Sequence, residues 1–142
     1  MPTNPPPHNE KVTIILHSGA YDRASYALSM AQVALTFGLE AHMLLTYDGL
    51  RRFTRGHLKD IGEETSPAVR ASIKRGLESG GIQSIEVQLA DTKALGLKLY
   101  ACPAAMANLN IAQEELIDEI DSIVGLGTFL GYARGASANW YI

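Results

Sequence analysis

The chain has little cysteine, little net charge and no long apolar run, and each shortage excludes a class of protein. Cys102 is the single cysteine in 142 residues, so neither an internal disulfide nor a multi-cysteine metal site can form within one chain. The net charge of −3 argues against a nucleic-acid partner, because phosphate-binding domains usually carry a basic excess. No stretch approaches the ~18 uninterrupted apolar residues of a membrane span. We therefore expect a cytoplasmic protein that needs no metal or other cofactor.

The first ten residues have the composition of a tail. They include four prolines and lack both a basic start and an apolar run, so no signal peptide is expected. We predict a disordered, proline-rich tail over 1–10, followed by one α/β domain over 11–142. A domain of that length can bury a core without disulfides.

Apolar segments typical of strands alternate with segments of helical periodicity along the rest of the chain. Strands are predicted over 11–17, 40–46, 97–101, 122–124 and 139–142, the first as a β-branched run that suits a strand covered on both faces. Helices are predicted after Gly19, within 50–64, from Ser66-Pro67 to Gly80, over 82–95 (a segment that also alternates like a strand), over 104–109, from Asn110 with Gln113, and over 127–136. This order predicts an α/β fold: a single doubly wound domain with a mostly parallel five-stranded sheet flanked by helices.

Sites in open parallel sheets form beyond the carboxyl ends of the strands, near the point where strand order reverses. This rule selects four turns, which are His17-Ser18-Gly19, Tyr47-Asp48-Gly49, Cys102-Pro103 and Gly125-Leu126-Gly127. The first and third turns are favoured if the strands that precede them are neighbours.

Cys102 is the candidate reactive group. It is expected at the N-cap of a helix, where the helix dipole favours an anion and therefore the nucleophilic thiolate. Pro103 lacks an N–H, so the amides of Ala104 and Ala105 are expected to point back at the sulfur. An isolated cysteine is also commonly a small buried hydrophobic residue without chemistry, and both interpretations stay open at this point.

His17 is the second candidate catalytic residue, since it could polarise a ligand or take a proton from the thiol. A histidine at a strand end is more often a hydrogen-bonded structural residue. The candidate binding residues from the same turns are Ser18, Gly19, Tyr21, Tyr47 and Asp48. The tyrosines could line a pocket, although aromatic side chains at strand ends usually belong to a core or an interface.

Two further patterns have structural explanations. Residues 125–131 look like a dinucleotide-binding loop, but Leu130 stands where that motif requires glycine, and close packing of a helix with Gly127, Gly131 and Gly135 on one face explains them better. Basic side chains concentrate in 51–75 and acidic ones in 114–121. These segments predict solvated helix faces, or surfaces for subunit pairing or an acidic partner.

Four segments, taken in order, resemble the DsrE/DsrF/TusD-like superfamily. They are His17-Ser-Gly with Tyr21-Asp-Arg and an alanine-rich helix, then 45–50, 97–111 and 124–130. The resemblance implies a five-stranded parallel sheet with flanking helices and assembly into homo- or hetero-oligomers. Several members of that superfamily carry sulfur as a cysteine persulfide in sulfur-oxidation or tRNA-thiolation relays, and the matching residue is Cys102.

The leading hypothesis is a small sulfur carrier or sulfurtransferase that holds sulfur as a persulfide on Cys102, with His17 and the following amides stabilising the anion. The alternatives are a non-catalytic nucleotide- or anion-binding module of flavodoxin-like shape, and a thiol peroxidase whose Cys102 is oxidised to sulfenic acid. The apolar last strand and glycine-lined last helix suggest self-association, so we expect a homo-oligomer, a trimer or a hexamer. Its partners would be sulfur donor and acceptor proteins or small sulfur compounds.

Overall fold

The structure, a computed structural model, describes residues 10–142. The strands and helices in chain order are β1 (Lys11–Leu16), α1 (Tyr21–Thr36), β2 (Glu40–Leu45), α2 (Tyr47–Arg52), α3 (Pro67–Ser79), α4 (Ile85–Ala94), β3 (Lys98–Ala101), α5 (Pro103–Leu109), β4 (Ser122–Ile123), α6 (Leu126–Ala133) and β5 (Ala138–Tyr141). The predicted tail lies outside the described residues, apart from Glu10.

All five strands form one sheet in the order β4-β3-β2-β1-β5, and every pairing is parallel. The predicted α/β fold class is confirmed, with a sheet that is parallel throughout. The chain moves outward from β1 to β4 and then returns across the sheet to place β5 beside β1. β2 therefore lies between β1 and β3, and these two strands are not neighbours. The condition under which their two turns were favoured is not met. No helix within residues 10–142 is long and apolar enough to cross a membrane.

The two faces of the sheet are covered unequally. Along β1, Val12 faces α1, whereas the next residue, Thr13, faces the other way because side chains alternate along a strand. α1 packs against β1, β2, α3 and α4, and it buries a row of small residues with Leu28. The opposite face carries the short helix α6, whose Phe129 is fully buried. We call this second side the α6 face.

Helix α2 begins earlier than the sequence pattern predicts. Asp48-Gly49 reads as a break after the second strand, but α2 already includes both residues. Gly49 permits this, because its amide donates to His17 O at 3.0 Å and a Cβ built on Gly49 would lie 2.3 Å from Leu16 O. The missing side chain lets the helix start directly against the end of β1.

Two other expectations about local structure were wrong. Asn110 ends α5 in the left-handed conformation, with φ of 51°, instead of opening a helix with Gln113. A single 3-10 turn, Gln113–Glu115, follows it. The glycines of α6 do not pack closely against the described part of the chain, since a Cβ built on Gly127 or Gly131 meets no atom of residues 10–142 within 4 Å.

A buried histidine lies on the α6 face among aromatic rings. The His42 ring stacks on Tyr132, with centroids 5.0 Å apart, and its Nδ1 lies 2.8 Å from the Tyr100 hydroxyl. Burial raises the pKa of Tyr100 to about 12 and lowers the pKa of His42 below its ordinary value of 6.5. The folded protein therefore favours the neutral imidazole at this position.

The depressed pKa of His42 should make stability depend on pH. In the window below its ordinary value the unfolded chain binds more protons than the folded one, so the free energy of unfolding rises with pH through that window. We expect urea unfolding to show greater stability at about pH 7.5 than at about pH 5.5, with a weaker dependence in His42→Gln. The control is Gln113→Ala, at an exposed position that carries no titratable group, which should leave the slope unchanged. An equal slope in wild type and His42→Gln would contradict this account.

Candidate functional site

The carboxyl edge of the sheet is held together by backbone hydrogen bonds that continue past the last residue of each strand. Thr46 N donates to Leu16 O at 3.0 Å, and Cys102 N donates to Leu45 O at 3.0 Å. On the other side of β1, His17 N donates to Ile142 O at 2.7 Å. The turns that follow β1, β2 and β3 are therefore fixed side by side at one edge.

A cavity of about 340 Å³ opens at this edge, on the α6 face. Its base is formed by Ile15 and Leu44, which are register partners on β1 and β2, and by Tyr141, the partner of Ile15 on β5. The remaining lining residues come from the turns and helix starts, and are Thr46, Tyr47, Cys102, Pro103, Ala104, Gly125 and Leu126. No lining residue carries a charge, so the cavity is an apolar space with one thiol in its wall.

Cys102 occupies the predicted position at the N-cap of α5. Its side chain is only 8% exposed, and it forms part of the cavity wall. Within the described part of the chain the sulfur makes no capping hydrogen bond, so the amides of Ala104 and Ala105 do not hold it as we expected. Ala104 lines the cavity, whereas Ala105 is fully buried. The thiol is thus largely enclosed, and the cavity provides its route to solvent.

His17 lies at the outer rim and does not line the cavity. Its ring is exposed and stacks on Tyr47 with centroids 4.9 Å apart, and it lies 5.9 Å from the Tyr141 ring. Because β2 separates its strand from the strand of Cys102, the two backbones are about 10 Å apart at the strand spacing of parallel sheets. The structure brings His17 to the aromatic entrance rather than into direct contact with the thiol.

Tyr47, at the entrance of the cavity, has an unusual backbone conformation. It is the first residue of α2, has φ of 47°, and is exposed. Positive φ is uncommon for a bulky residue and occurs where surrounding structure imposes it. Asp48, next in the chain, is exposed and does not line the cavity.

Three of the predicted binding residues make contacts within the fold and do not line the cavity. Tyr21 is buried, and its hydroxyl accepts a hydrogen bond from Ile85 N at 3.1 Å. Ser18 Oγ accepts from Ala20 N at 3.2 Å. Gly19 packs against the neighbouring turn, since a Cβ there would lie 2.7 Å from a backbone oxygen. These residues shape the first turn without contributing to the cavity lining.

Arg52 orders the loops behind the site, although sequence analysis counted it among the solvated basic side chains. It is 3% exposed, and its guanidinium donates to Gly19 O at 2.5 Å, to Asp60 O at 2.5 Å and to Ile61 O at 3.0 Å. Burial lowers the pKa of Arg52, while the carboxylate of Glu64, 3.4 Å away, opposes that shift. The side chain therefore ties the loop after α2 to the turn after β1.

Thr46 is a cavity residue that sequence analysis missed. It is the N-cap of α2 and is 9% exposed, but its hydroxyl makes no capping hydrogen bond. The available signal was a lone polar residue that ends an apolar strand and precedes one of the four selected turns. Elsewhere in residues 10–142, no group of three histidine, cysteine, aspartate or glutamate side chains is arranged to hold a metal ion.

Comparison with known proteins assigns the fold and the family. The DsrE/DsrF-like family matches residues 10–138, which is most of the chain. The chain belongs to the DsrE/DsrF-like family. This membership suggests a function of the sulfur-relay type, as the sequence resemblance implied.

Individual relatives agree with this assignment over nearly the full length. The uncharacterized protein YrkE of Bacillus subtilis is 25% identical, and the match covers 94% of this chain and 97% of that protein. The crystal structure of the E. coli YchN protein superposes with a TM-score of 0.63 at 16% identity, covering 94% of this chain and 99% of that one. A protein of unknown function from Methanobacterium thermoautotrophicum, MTH1491, superposes with a TM-score of 0.60 at 11% identity, covering 93% and 99%. At these identities the two structures show a shared fold.

Removal of the Arg52 guanidinium should destabilise the protein strongly. Arg52→Met leaves four backbone carbonyls, those of Gly19, His57, Asp60 and Ile61, without this donor, so we expect a loss of about 3 kcal/mol in the free energy of unfolding measured with urea. The matched control is Arg51→Met, one residue earlier in α2 and exposed, which should change stability by less than about 0.5 kcal/mol. Similar losses for the two variants would show that Arg52 does not order these loops.

Proposed function

We propose that this protein is a sulfur carrier that holds sulfur as a persulfide on Cys102. The observation that carries the proposal is the position of the only cysteine in the wall of the apolar cavity at the carboxyl edge. Family membership supports the same chemistry. Ligands of open parallel sheets bind at this edge, so the thiol lies where the fold offers a site.

The transfer proceeds by thiolate attack on a sulfane sulfur. The Cys102 thiolate attacks the outer sulfur of a donor persulfide R–S–SH, forming the bond in Cys102–S–SH and releasing the donor as R–S⁻. An acceptor thiolate then attacks the outer sulfur, takes it as R′–S–SH, and releases the Cys102 thiolate. No net oxidation occurs in either step, because the sulfane sulfur only changes its partner.

The cavity suits a sulfur that must be kept from water. Its walls are aliphatic and aromatic, and its volume of about 340 Å³ is several times the roughly 30 Å³ that a water molecule occupies in the liquid. The outer sulfur of a persulfide and the reacting end of a donor therefore fit together. The apolar lining excludes bulk water, which protects the persulfide between loading and release.

The alternatives find less support in the same geometry. A nucleotide or other polyanion needs donors for its phosphates, whereas the cavity lining contains no lysine, arginine or histidine. A thiol peroxidase would use the same Cys102 and would form a sulfenic acid instead of a persulfide. The two thiol reactions differ in product, so mass spectrometry separates them.

Incubation with glutathione persulfide should add one sulfur atom to the intact protein mass, and dithiothreitol should remove it. Cys102→Ala should show no addition. Leu126→Trp fills the cavity mouth and should slow loading, since Leu126 lines the cavity. The matched control is Leu130→Trp, on the same helix and outside the cavity lining, with exposure of 51% against 52% for Leu126.

Absence of any sulfur addition to the wild type under these conditions would refute the proposal. A product trapped by a sulfenic-acid reagent after peroxide, in a protein that accepts no sulfur, would favour the peroxidase. Equal loading rates for Leu126→Trp and Leu130→Trp would show that sulfur does not enter through the cavity.

We also propose that the α6 face assembles with other copies of this chain, as a trimer or a hexamer. Leu126 and Leu130 of α6 are half exposed, and Tyr141 of β5 is largely exposed beside them. Gly127 and Gly131 leave room along the helix that no atom of residues 10–142 fills. Exposed apolar side chains next to unfilled glycine positions are typical of a surface that another subunit covers.

Light scattering should therefore report a trimer or a larger oligomer for the wild type. Gly131→Arg should dissociate it, because the new side chain starts on this surface, where a Cβ meets no atom of residues 10–142 within 4 Å. Ala71→Arg, on an exposed position of α3 across the sheet, should leave the assembly intact. A monomeric wild type would contradict the proposal.

A further inference from the structure

Thr46 and Cys102 occupy equivalent positions on neighbouring strands. Leu45 and Ala101, the residues before them, are register partners in β2 and β3. Each of the next residues is the N-cap of the helix that follows, Thr46 for α2 and Cys102 for α5. Neighbouring strands lie about 4.8 Å apart, so the two side chains start side by side in the cavity wall.

The Thr46 hydroxyl has no partner in the fold. Threonine at an N-cap usually accepts a hydrogen bond from the first turn of its helix, but Thr46 makes none, and within residues 10–142 no side-chain hydrogen bond uses its oxygen. Every fully enclosed side-chain nitrogen or oxygen in this range does have a partner. The Thr46 oxygen must therefore reach open space, and the space that Thr46 lines is the cavity.

A polar group in this setting is costly unless something binds it. Thr46 is 9% exposed as a whole, and its hydroxyl faces a cavity lined mainly by apolar side chains without a protein partner among residues 10–142. Buried polar groups in proteins are nearly always hydrogen-bonded, so a ligand or an ordered water is the expected partner here. The chemistry of the ligand follows from the only reactive group beside it, which is the Cys102 thiol.

We propose that Thr46 is a further catalytic residue, whose hydroxyl donates a hydrogen bond to the outer sulfur of the Cys102 persulfide. This inference rests on the proposed function and extends it to the group that stabilises the carried sulfur. An S–S bond of about 2.05 Å extends Cys102 by one atom into the cavity that Thr46 also lines.

The hydrogen bond favours the anionic persulfide. Transfer of the sulfane sulfur first gives Cys102–S–SH and R–S⁻. The outer sulfur then loses its proton to the departing R–S⁻, which leaves Cys102–S–S⁻ and R–SH. The Thr46 hydroxyl keeps its own proton and donates to the new terminal anion. Hydrogen bonds to a charged group are stronger than those between neutral groups, and the cavity lining contains no side-chain cation.

The test compares wild type with Thr46→Val and Thr46→Ser after loading with glutathione persulfide. The readout is the pH profile of alkylation of the outer sulfur by iodoacetamide, since only the anion reacts. Valine keeps the shape and removes the hydroxyl, so at a pH below the wild-type midpoint we expect the alkylation rate of Thr46→Val to fall about tenfold. Thr46→Ser should restore the wild-type profile.

A purely structural role for Thr46 predicts a lower melting temperature for Thr46→Val than for wild type. Our proposal predicts a melting temperature equal to wild type or higher, because valine replaces a hydroxyl that has no partner among residues 10–142 with a methyl group. Thr46→Ala serves as a second hydroxyl-free variant should Thr46→Val fold poorly. A loaded hydroxyl-free variant with the wild-type pH profile would overturn the inference and leave the sulfur-carrier function standing. A wild type that accepts no sulfur would overturn both.

Discussion

The site depends on the backbone hydrogen bonds that extend the parallel ladder one residue beyond the strands. The amides of His17, Thr46 and Cys102 donate to Ile142, Leu16 and Leu45 respectively. Parallel strands bring their carboxyl ends to one edge, and these bonds carry that alignment into the turns. Side chains that are far apart in sequence thus become neighbours in one cavity wall without any disulfide or metal.

The same edge shows how the chain distributes polar groups. The Arg52 guanidinium is buried, but four backbone carbonyls and a carboxylate accept its hydrogen bonds, so its burial stabilises the fold. Thr46 and Cys102 are nearly as buried, and among residues 10–142 their side chains have no such partners. A buried polar group without a partner destabilises a fold, and such groups occur mainly at functional sites. For this reason the cavity, and not the charged loops, is the centre of the proposed function.

The fold was largely predictable from local pattern. The β-branched run of β1 and the alternation of strands with helices predict a parallel sheet, and Ser66-Pro67 predicts the start of α3. The position of Cys102 at a strand end and helix start was also predictable, because Pro103 favours the first helical position. Such features depend on neighbours in sequence.

Other features of the site depend on contacts that periodicity does not encode. Strand order places β2 between His17 and Cys102, so the two predicted catalytic residues are not in contact. Arg52 looked like a surface charge because nothing in its own helix indicates the loop carbonyls that surround it. Thr46 was missed since its role appears only once β2 and β3 are in register, whereas Tyr21 was included although its hydroxyl bonds to α4.

The central claim is that a thiol 8% exposed is nevertheless reached through the cavity of the folded protein. The rate of Cys102 alkylation by iodoacetamide in increasing, non-denaturing urea tests it most directly. Access through the cavity predicts a rate that hardly changes with urea, because the protein does not need to unfold. A rate that rises with urea in proportion to the unfolded population would mean that the thiol is sealed in the core and would contradict the account.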